Sequence, residues 1–223
     1  MIWESNREKL LGVHIDKELK FEHHLLDICK KARAKVTAMA RLAKLIPFEK
    51  KRMLMNSFIE FQFSYCPLVW MFCSRSTDRK INHIHERALR MVYLDYTTSF
   101  TDLLKKDGSV TIHHRNIRLV AKEMFKVKHD ICPEIIKSLF YFNSNQNVKK
   151  DFLRPNVKSE YKGKLSLRYF GPLVWDYMLP ENLKTITTWE KFETEIKKWV
   201  PENCPCRLCK TYIPQLGFVN VCN

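Results

Sequence analysis

The sequence predicts a mainly α protein in three parts: a β-hairpin over residues 1–24, a helical bundle over 25–142, and a small α+β C-terminal unit with a cysteine-rich tail over 143–223. Three observations carry that expectation. Only five glycines occur in 223 residues, too few for an all-β chain full of tight turns or for glycine-rich phosphate cradles. Apolar residues recur at alternating spacings of four and three over long stretches, the repeat of one helix face. Hydrophobic residues make up 45% of the chain, enough for a sizeable core at this length.

Leu11, Val13 and Ile15 alternate with Gly12 and His14, then come the polar Asp16-Lys17-Glu18 and the apolar Leu19 and Phe21. This reads as a hairpin turning at residues 16–18. A lone two-stranded unit is marginal in water, so further strands are expected upstream. From Leu25, the residues Cys29, Ala32, Val36, Met39, Ala43 and Ile46 keep to one helical stripe, which Pro47 ends. Leu54, Phe58, Phe61 and Tyr65 continue the spacing into a second helix, which runs into the aperiodic, core-like stretch CPLVWMF.

Thr77 or Asp78 is expected to cap a third helix that turns Ile81, Ile84, Ala88, Met91 and Val92 inward and lines another side with His83, Arg87 and Arg90. Ser99 and Asp102 form a capping box with a shortened acid, opening a brief helix that ends near Gly108. Thr111 then caps a fifth helix reaching about Lys128, with Ile117, Val120, Met124 and Val127 inward. Five helices on short linkers suggest one bundle. The polar run 143–147 marks a boundary. Beyond it Leu165, Leu167 and Tyr169 alternate as a strand broken by Gly171-Pro172, and Trp189, Phe192, Ile196 and Trp199 line one more helix.

Thirty-nine Lys and Arg against 24 Asp and Glu leave a charge of +15, which attracts polyanions, nucleic acid first among them. The excess is concentrated. Between Lys30 and Arg52 stand nine basic residues and one acidic residue, Glu49. Lys30, Arg33, Arg41 and Lys44 form a stripe beside the apolar face of the first long helix, with Lys31 and Lys35 nearby, and Arg87 and Arg90 are weaker candidates on the third helix. A solvated helix face is the plain alternative. Acids are too sparse for i,i+4 pairing, however, so the like charges repel and an external polyanion would relieve them.

No apolar run approaches the roughly 20 residues that span a bilayer, and the start has no signal-peptide pattern. Cytoplasm or nucleus is therefore the expected compartment, without a membrane partner. In a reducing compartment the eight cysteines are not first read as disulfides.

Metal-dependent polymerases and nucleases need carboxylates converging on divalent cations, yet no Asp-Asp pair occurs. His23-His24 and His113-His114 are adjacent, so on a helix they diverge by about 100° and cannot share an ion from one face. The segment HERAL from His85 lacks the second histidine of the H-E-x-x-H motif. Cys29, Cys66, Cys73 and Cys132 lie in apolar or helical contexts that suit inert thiols. No catalytic constellation emerges, and the chain is expected not to be an enzyme by itself.

Six segments occur in a telling order: KLLGVHIDKELKFEHH (9–24), NSFIEFQFSYCPLVWMFCSR (56–75), KINHIHERALRMVY (80–93), SFTDLLKKDGSVTIHHRN (99–116), YFGPLVWDYMLPENLK (169–184) and CPCRLCKTYIPQLGF (204–218). Together they resemble the part of non-LTR (LINE-type, Jockey-like) retrotransposon reverse transcriptases that follows the catalytic palm. The resemblance implies that the Leu11-Gly12-Val13 hairpin corresponds to the primer grip and the helices to a thumb. The aromatic-x-Asp-Asp motif and the nucleotide-binding fingers of that family would lie upstream. RNA or an RNA·DNA hybrid is then the expected partner, along with the missing palm and fingers. Two alternatives are a helical protein-interaction module and a non-functional relic of a retroelement.

Cys204, Cys206 and Cys209 offer three soft ligands in a compact loop, where tetrahedral zinc wants four. Cys222, or a histidine from elsewhere in the fold, is the candidate to complete a structural zinc site. Reduced thiols are the competing reading, and a disulfide is disfavoured by the compartment.

Overall fold

A computed structural model describes residues 7–144, 150–159, 163–201, 204, 206, 208–213 and 217–220. The fold is mainly α with small antiparallel β-ribbons, as expected. Two compact units divide the chain, Met1–His113 and His114–Asn223. The expected boundary at 143–147 lies inside the second unit, and residues 145–149 are outside the described residues.

The first unit opens with strands β1 (Arg7–Leu10) and β2 (Val13–Asp16), paired antiparallel with Leu10 opposite Val13. The turn is therefore Leu11-Gly12, not residues 16–18. Both turn residues have positive φ, +46° and +86°, which matches the mirror-image two-residue turns that follow strand twist and favour glycine. The Tyr65 hydroxyl donates to the Leu11 carbonyl. Residues 16–18 lead out of the hairpin instead. The Asp16 carboxylate accepts the backbone N–H groups of Glu18, Lys20 and Phe21 at 3.1, 3.0 and 2.6 Å, steering the chain into the first helix.

That helix, α1 (Glu22–Leu42), buries His24, Leu25, Ile28, Cys29, Ala32 and Val36. Helix α2 (Phe48–Leu54) passes into a π-helical turn, Met55–Ile59, and a 3-10 turn, Glu60–Phe63. Here the inward face differs from the expected one. Phe58, Phe61 and Tyr65 are exposed, while Met55, Ile59 and Phe63 are buried. A π turn bonds i to i+5 and so widens the helix, and the buried residues accordingly recur at four and four rather than four and three.

After the short α3 (Pro67–Trp70) comes α4 (Arg75–Tyr93), which buries Ile81, Ile84, Ala88, Met91 and Val92 as the spacing predicts. Its cap is Ser74, whose hydroxyl accepts the Thr77 N–H at 3.3 Å, so Thr77 and Asp78 lie inside the helix. Helix α5 (Phe100–Asp107) is capped by Ser99, which accepts from the Asp102 N–H at 3.2 Å, and ends on Gly108 at φ +67°. Helices α1, α4 and α5 share one core with the π and 3-10 turns.

Helix α6 (Ile112–Lys128) starts directly after Thr111. The division between units falls in its first turn, so α1 to α5 lie in the first unit and the body of α6 in the second. The second unit continues with α7 (Glu134–Lys137) and the ribbon β3 (Tyr141–Phe142) with β4 (Phe152–Leu153). Next come α8 (Leu167–Leu173), a π turn at Val174–Met178, α9 (Glu181–Lys184) and α10 (Trp189–Ile196). The ribbon β5 (Lys210–Ile213) with β6 (Gly217–Asn220) completes it.

Where the alternation predicts a strand and its break, residues 167–173 form a helix. Extended Ser166 starts it, accepting the N–H groups of Tyr169 and Phe170 at 3.1 and 2.9 Å through its carbonyl. Pro172 has no N–H to return to the preceding turn, and the helix widens into the π turn just beyond it. The core of this unit is aromatic: Phe125 stacks on Phe192 at 4.3 Å, with Trp175 at 6.4 Å from Phe125. Such pairs add about 0.5–1.5 kcal/mol each beyond area burial.

Candidate metal centre and cationic groove

Three cysteines of the tail and one histidine of α6 converge. Cys206 and Cys209 close a tight turn, with the Cys209 N–H donating to the Cys206 carbonyl at 3.2 Å. Their Sγ atoms stand 3.6 Å apart. Cys204 and His113 join them, and the four ligand atoms all lie within 4.8 Å of one another. All four residues are buried.

The spacing discriminates between chemistries. A disulfide needs sulfurs about 2.05 Å apart. Two thiolates bound tetrahedrally at Zn–S distances of about 2.3 Å stand about 3.8 Å apart, close to the separation between Cys206 and Cys209. Three soft sulfurs and one imidazole can hold a metal ion here.

Helix α6 supports the arrangement from two positions. His113 occupies its first turn, and the Arg118 guanidinium donates to the Trp199 carbonyl at 2.6 Å, fixing the chain five residues before Cys204. Burial pushes the Arg118 pKa down, yet the group keeps a hydrogen-bonded carbonyl. Of the residues expected to bind metal, Cys204, Cys206 and Cys209 come together, while Cys222 lies outside the described residues. The fourth group in reach is His113, which sequence reasoning set aside because it adjoins His114. Only one member of the pair reaches the site, and one is enough.

The first unit carries the second feature. Along α1, Leu26, Lys30, Arg33, Ala34, Thr37, Ala38 and Arg41 line an open groove of about 650 Å³, with Cys29 in its floor and Lys80 of α4 on the other wall. The cause is helical geometry: the face centred on Leu25, Ala32 and Val36 packs into the core, and the basic stripe about a third of a turn away is left beside the α1–α4 seam. Lys30, Arg33, Arg41 and Lys80 are exposed, and none makes an ion pair among the described residues. Burial pushes the Cys29 thiol above its ordinary value despite the nearby positive charges of Arg33 and Lys80, which keeps it a protonated packing group.

The other expected contacts differ in state. Lys44 is exposed without an ion pair among the described residues but does not line the groove. Lys31 pairs with Asp27 at 2.8 Å, and Lys35 lies over the Phe58 ring at 5.8 Å. Arg87 is exposed, whereas Arg90 is engaged inside the unit by Glu86 at 2.6 Å and the Asp95 carbonyl at 3.3 Å. Arg90 is thus already held by partners within its own unit. Sequence reasoning missed Lys80, whose place in the groove lining depends on how α4 packs.

Among the described residues no helix is long and apolar enough to cross a membrane. Comparison with protein-family models, with curated proteins and with solved structures finds no match for this chain.

Proposed function

We propose that this chain is a nucleic-acid-holding segment that grips the backbone of RNA or an RNA·DNA hybrid along α1 and makes no bonds itself. The observation that carries this reading is the groove, in which Lys30, Arg33, Arg41 and Lys80 stand exposed with no carboxylate paired to them among the described residues. Such a row repels itself, and a line of phosphates relieves the repulsion while releasing counterions. The groove walls are Leu26, Ala34, Thr37 and Ala38, which offer little to read base edges, so contact is with phosphate and sugar. The ordered resemblance to the post-palm part of non-LTR reverse transcriptases points the same way, and assigns catalysis to a separate palm and fingers portion.

The metal in this reading is a structural zinc ion. Three thiolates and one imidazole fill all four tetrahedral positions and leave none for water or substrate. Its role is to tie the cysteine-rich tail to α6.

A helical protein-interaction module is the second reading, favoured by the exposed Phe58, Phe61, Tyr65 and Val69 of the first unit. Fluorescence anisotropy with a labelled RNA·DNA hybrid separates the two. The first reading expects binding at low salt that weakens steeply as salt rises; no detectable binding at low salt discards it in favour of the second.

A further inference from the structure

The second unit carries a surface of different chemistry from the groove. In the β3–β4 ribbon Tyr141 lies directly opposite Leu153, and both side chains are exposed. The Arg168 guanidinium of α8 lies over the Tyr141 ring at 5.3 Å. Arg154, one residue beyond β4, lies over Tyr177 at 4.7 Å and Tyr169 at 5.7 Å and hydrogen-bonds the Tyr177 hydroxyl at 3.3 Å. Lys150 sits over the same Tyr177 ring at 4.7 Å. The two groups are neighbours along the chain, Tyr169 following Arg168 and Arg154 following Leu153, so cations and aromatic rings alternate over one strip of the ribbon and α8.

We propose that this strip, Tyr141, Tyr169 and Tyr177 interleaved with Lys150, Arg154 and Arg168, is a stacking surface for single-stranded nucleic acid. Charge is the first argument. None of the three cations makes an ion pair among the described residues. The two nearby carboxylates are already engaged elsewhere: Asp151 takes Lys128 and the Trp175 indole, and Asp176 takes the backbone N–H groups of Asp151 and Phe152 at 2.9 and 3.3 Å. The strip is left positive.

The second argument is the exposed aromatic area. Tyr141 is 57% and Tyr177 49% exposed, so both residues keep a large share of their surface in solvent beside their cations. A duplex hides its base faces in its own stack, whereas an unpaired strand presents them. Aromatic platforms beside cations that track the backbone are how sequence-tolerant single-strand binding is built. An acidic peptide would satisfy the cations but leave the rings bare. The α1 groove, with no aromatic residue in its lining, is suited to a backbone and not to stacking. The inference therefore stands apart from the proposed function.

The test compares oligo(dT) of about ten nucleotides with an abasic deoxyribose-phosphate chain of equal length, binding to the full chain at low salt by anisotropy. Oligo(dT) is expected to bind about tenfold or more tighter, since only it can stack. The double variant Tyr141→Leu/Tyr177→Leu, at unchanged charge, is expected to lose that preference. Equal affinity of wild type for the two chains overturns the proposal, and so does a tyrosine variant with wild-type preference. Competition by polyglutamate as effective as by oligo(dT) also overturns it. The abasic comparison uses wild-type protein, so it decides the matter even if the tyrosine variant fails to fold. Hybrid binding through α1 is read separately and can fail without affecting this result.

Discussion

The indole N–H of Trp175 donates to the Asp151 carboxylate at 2.7 Å, and the Lys128 ammonium reaches the same oxygen at 2.6 Å. One half-buried carboxylate thus satisfies the polar atom of a fully buried tryptophan and joins three separate stretches of the second unit. Asp151→Ala leaves a buried donor without its acceptor, a loss of about 1–3 kcal/mol. Asp151→Asn keeps an acceptor oxygen and is expected to lose less. Urea unfolding followed by tryptophan fluorescence orders the two variants; equal loss in both would assign the effect to charge alone.

Gly171→Ala tests packing against propensity. Within a helix, alanine in place of glycine ordinarily gains about 1 kcal/mol. Here a β-carbon would stand 2.4 Å from the Met124 Sδ and 3.3 Å from Phe140, and Met124 is itself fully buried. Overpacking typically costs about 1–3 kcal/mol, so the variant is expected to be less stable than wild type. A rise in the thermal midpoint would contradict the packing around α8.

The metal site makes a stoichiometric prediction. Protein purified with zinc is expected to retain about one ion per chain, and cobalt substitution to give the visible absorption of a tetrahedral thiolate site. Cys209→Ser and His113→Ala should each reduce retention. Affinity should fall as pH falls, because thiolates and imidazole must shed protons to bind. Zinc retained at full stoichiometry by His113→Ala would remove histidine from the ligand set.

His24 gives a pH dependence with a definite sign. Burial and the neighbouring His14 push its pKa below the ordinary histidine value, with Asp27 pulling the other way. In the unfolded chain the group takes its proton near about pH 6.5; in the folded unit it does so at lower pH. Its contribution is therefore full above about pH 6.5 and is lost as pH falls through the folded pKa. His129 in the second unit is shifted the same way, chiefly by burial. Following the two imidazole resonances by NMR should place both midpoints below that of a model peptide, and a midpoint above it would reverse the sign.

What the sequence reveals follows its local physics. The inward face of α4, the Ser99 cap and the Gly108 terminus depend on neighbours three or four residues away, and each is found where the spacing places it. Phe58, Phe61 and Tyr65 defy the expected inward face because a π turn changes the period on which such assignments rest. Leu167 to Leu173 mimics a strand because two-residue alternation over five residues also fits a helix start. That Cys204, Cys206 and Cys209 could share an ion is legible from their spacing, which leaves reduced thiols as the competing reading. His113 is not, since it lies about ninety residues upstream and reaches the site only through the fold. Lys80 is hidden for the same reason.

The most direct measurement is the salt dependence of binding to an RNA·DNA hybrid by wild type and by Lys30→Gln/Arg33→Gln/Arg41→Gln/Lys80→Gln. Each phosphate contact contributes a slope of about 0.7–0.9 in log affinity against log salt. The fourfold variant is expected to bind more weakly and, at that slope per contact, to lose about three units. Identical affinity and slope in the two proteins would mean that the α1 groove does not hold the backbone.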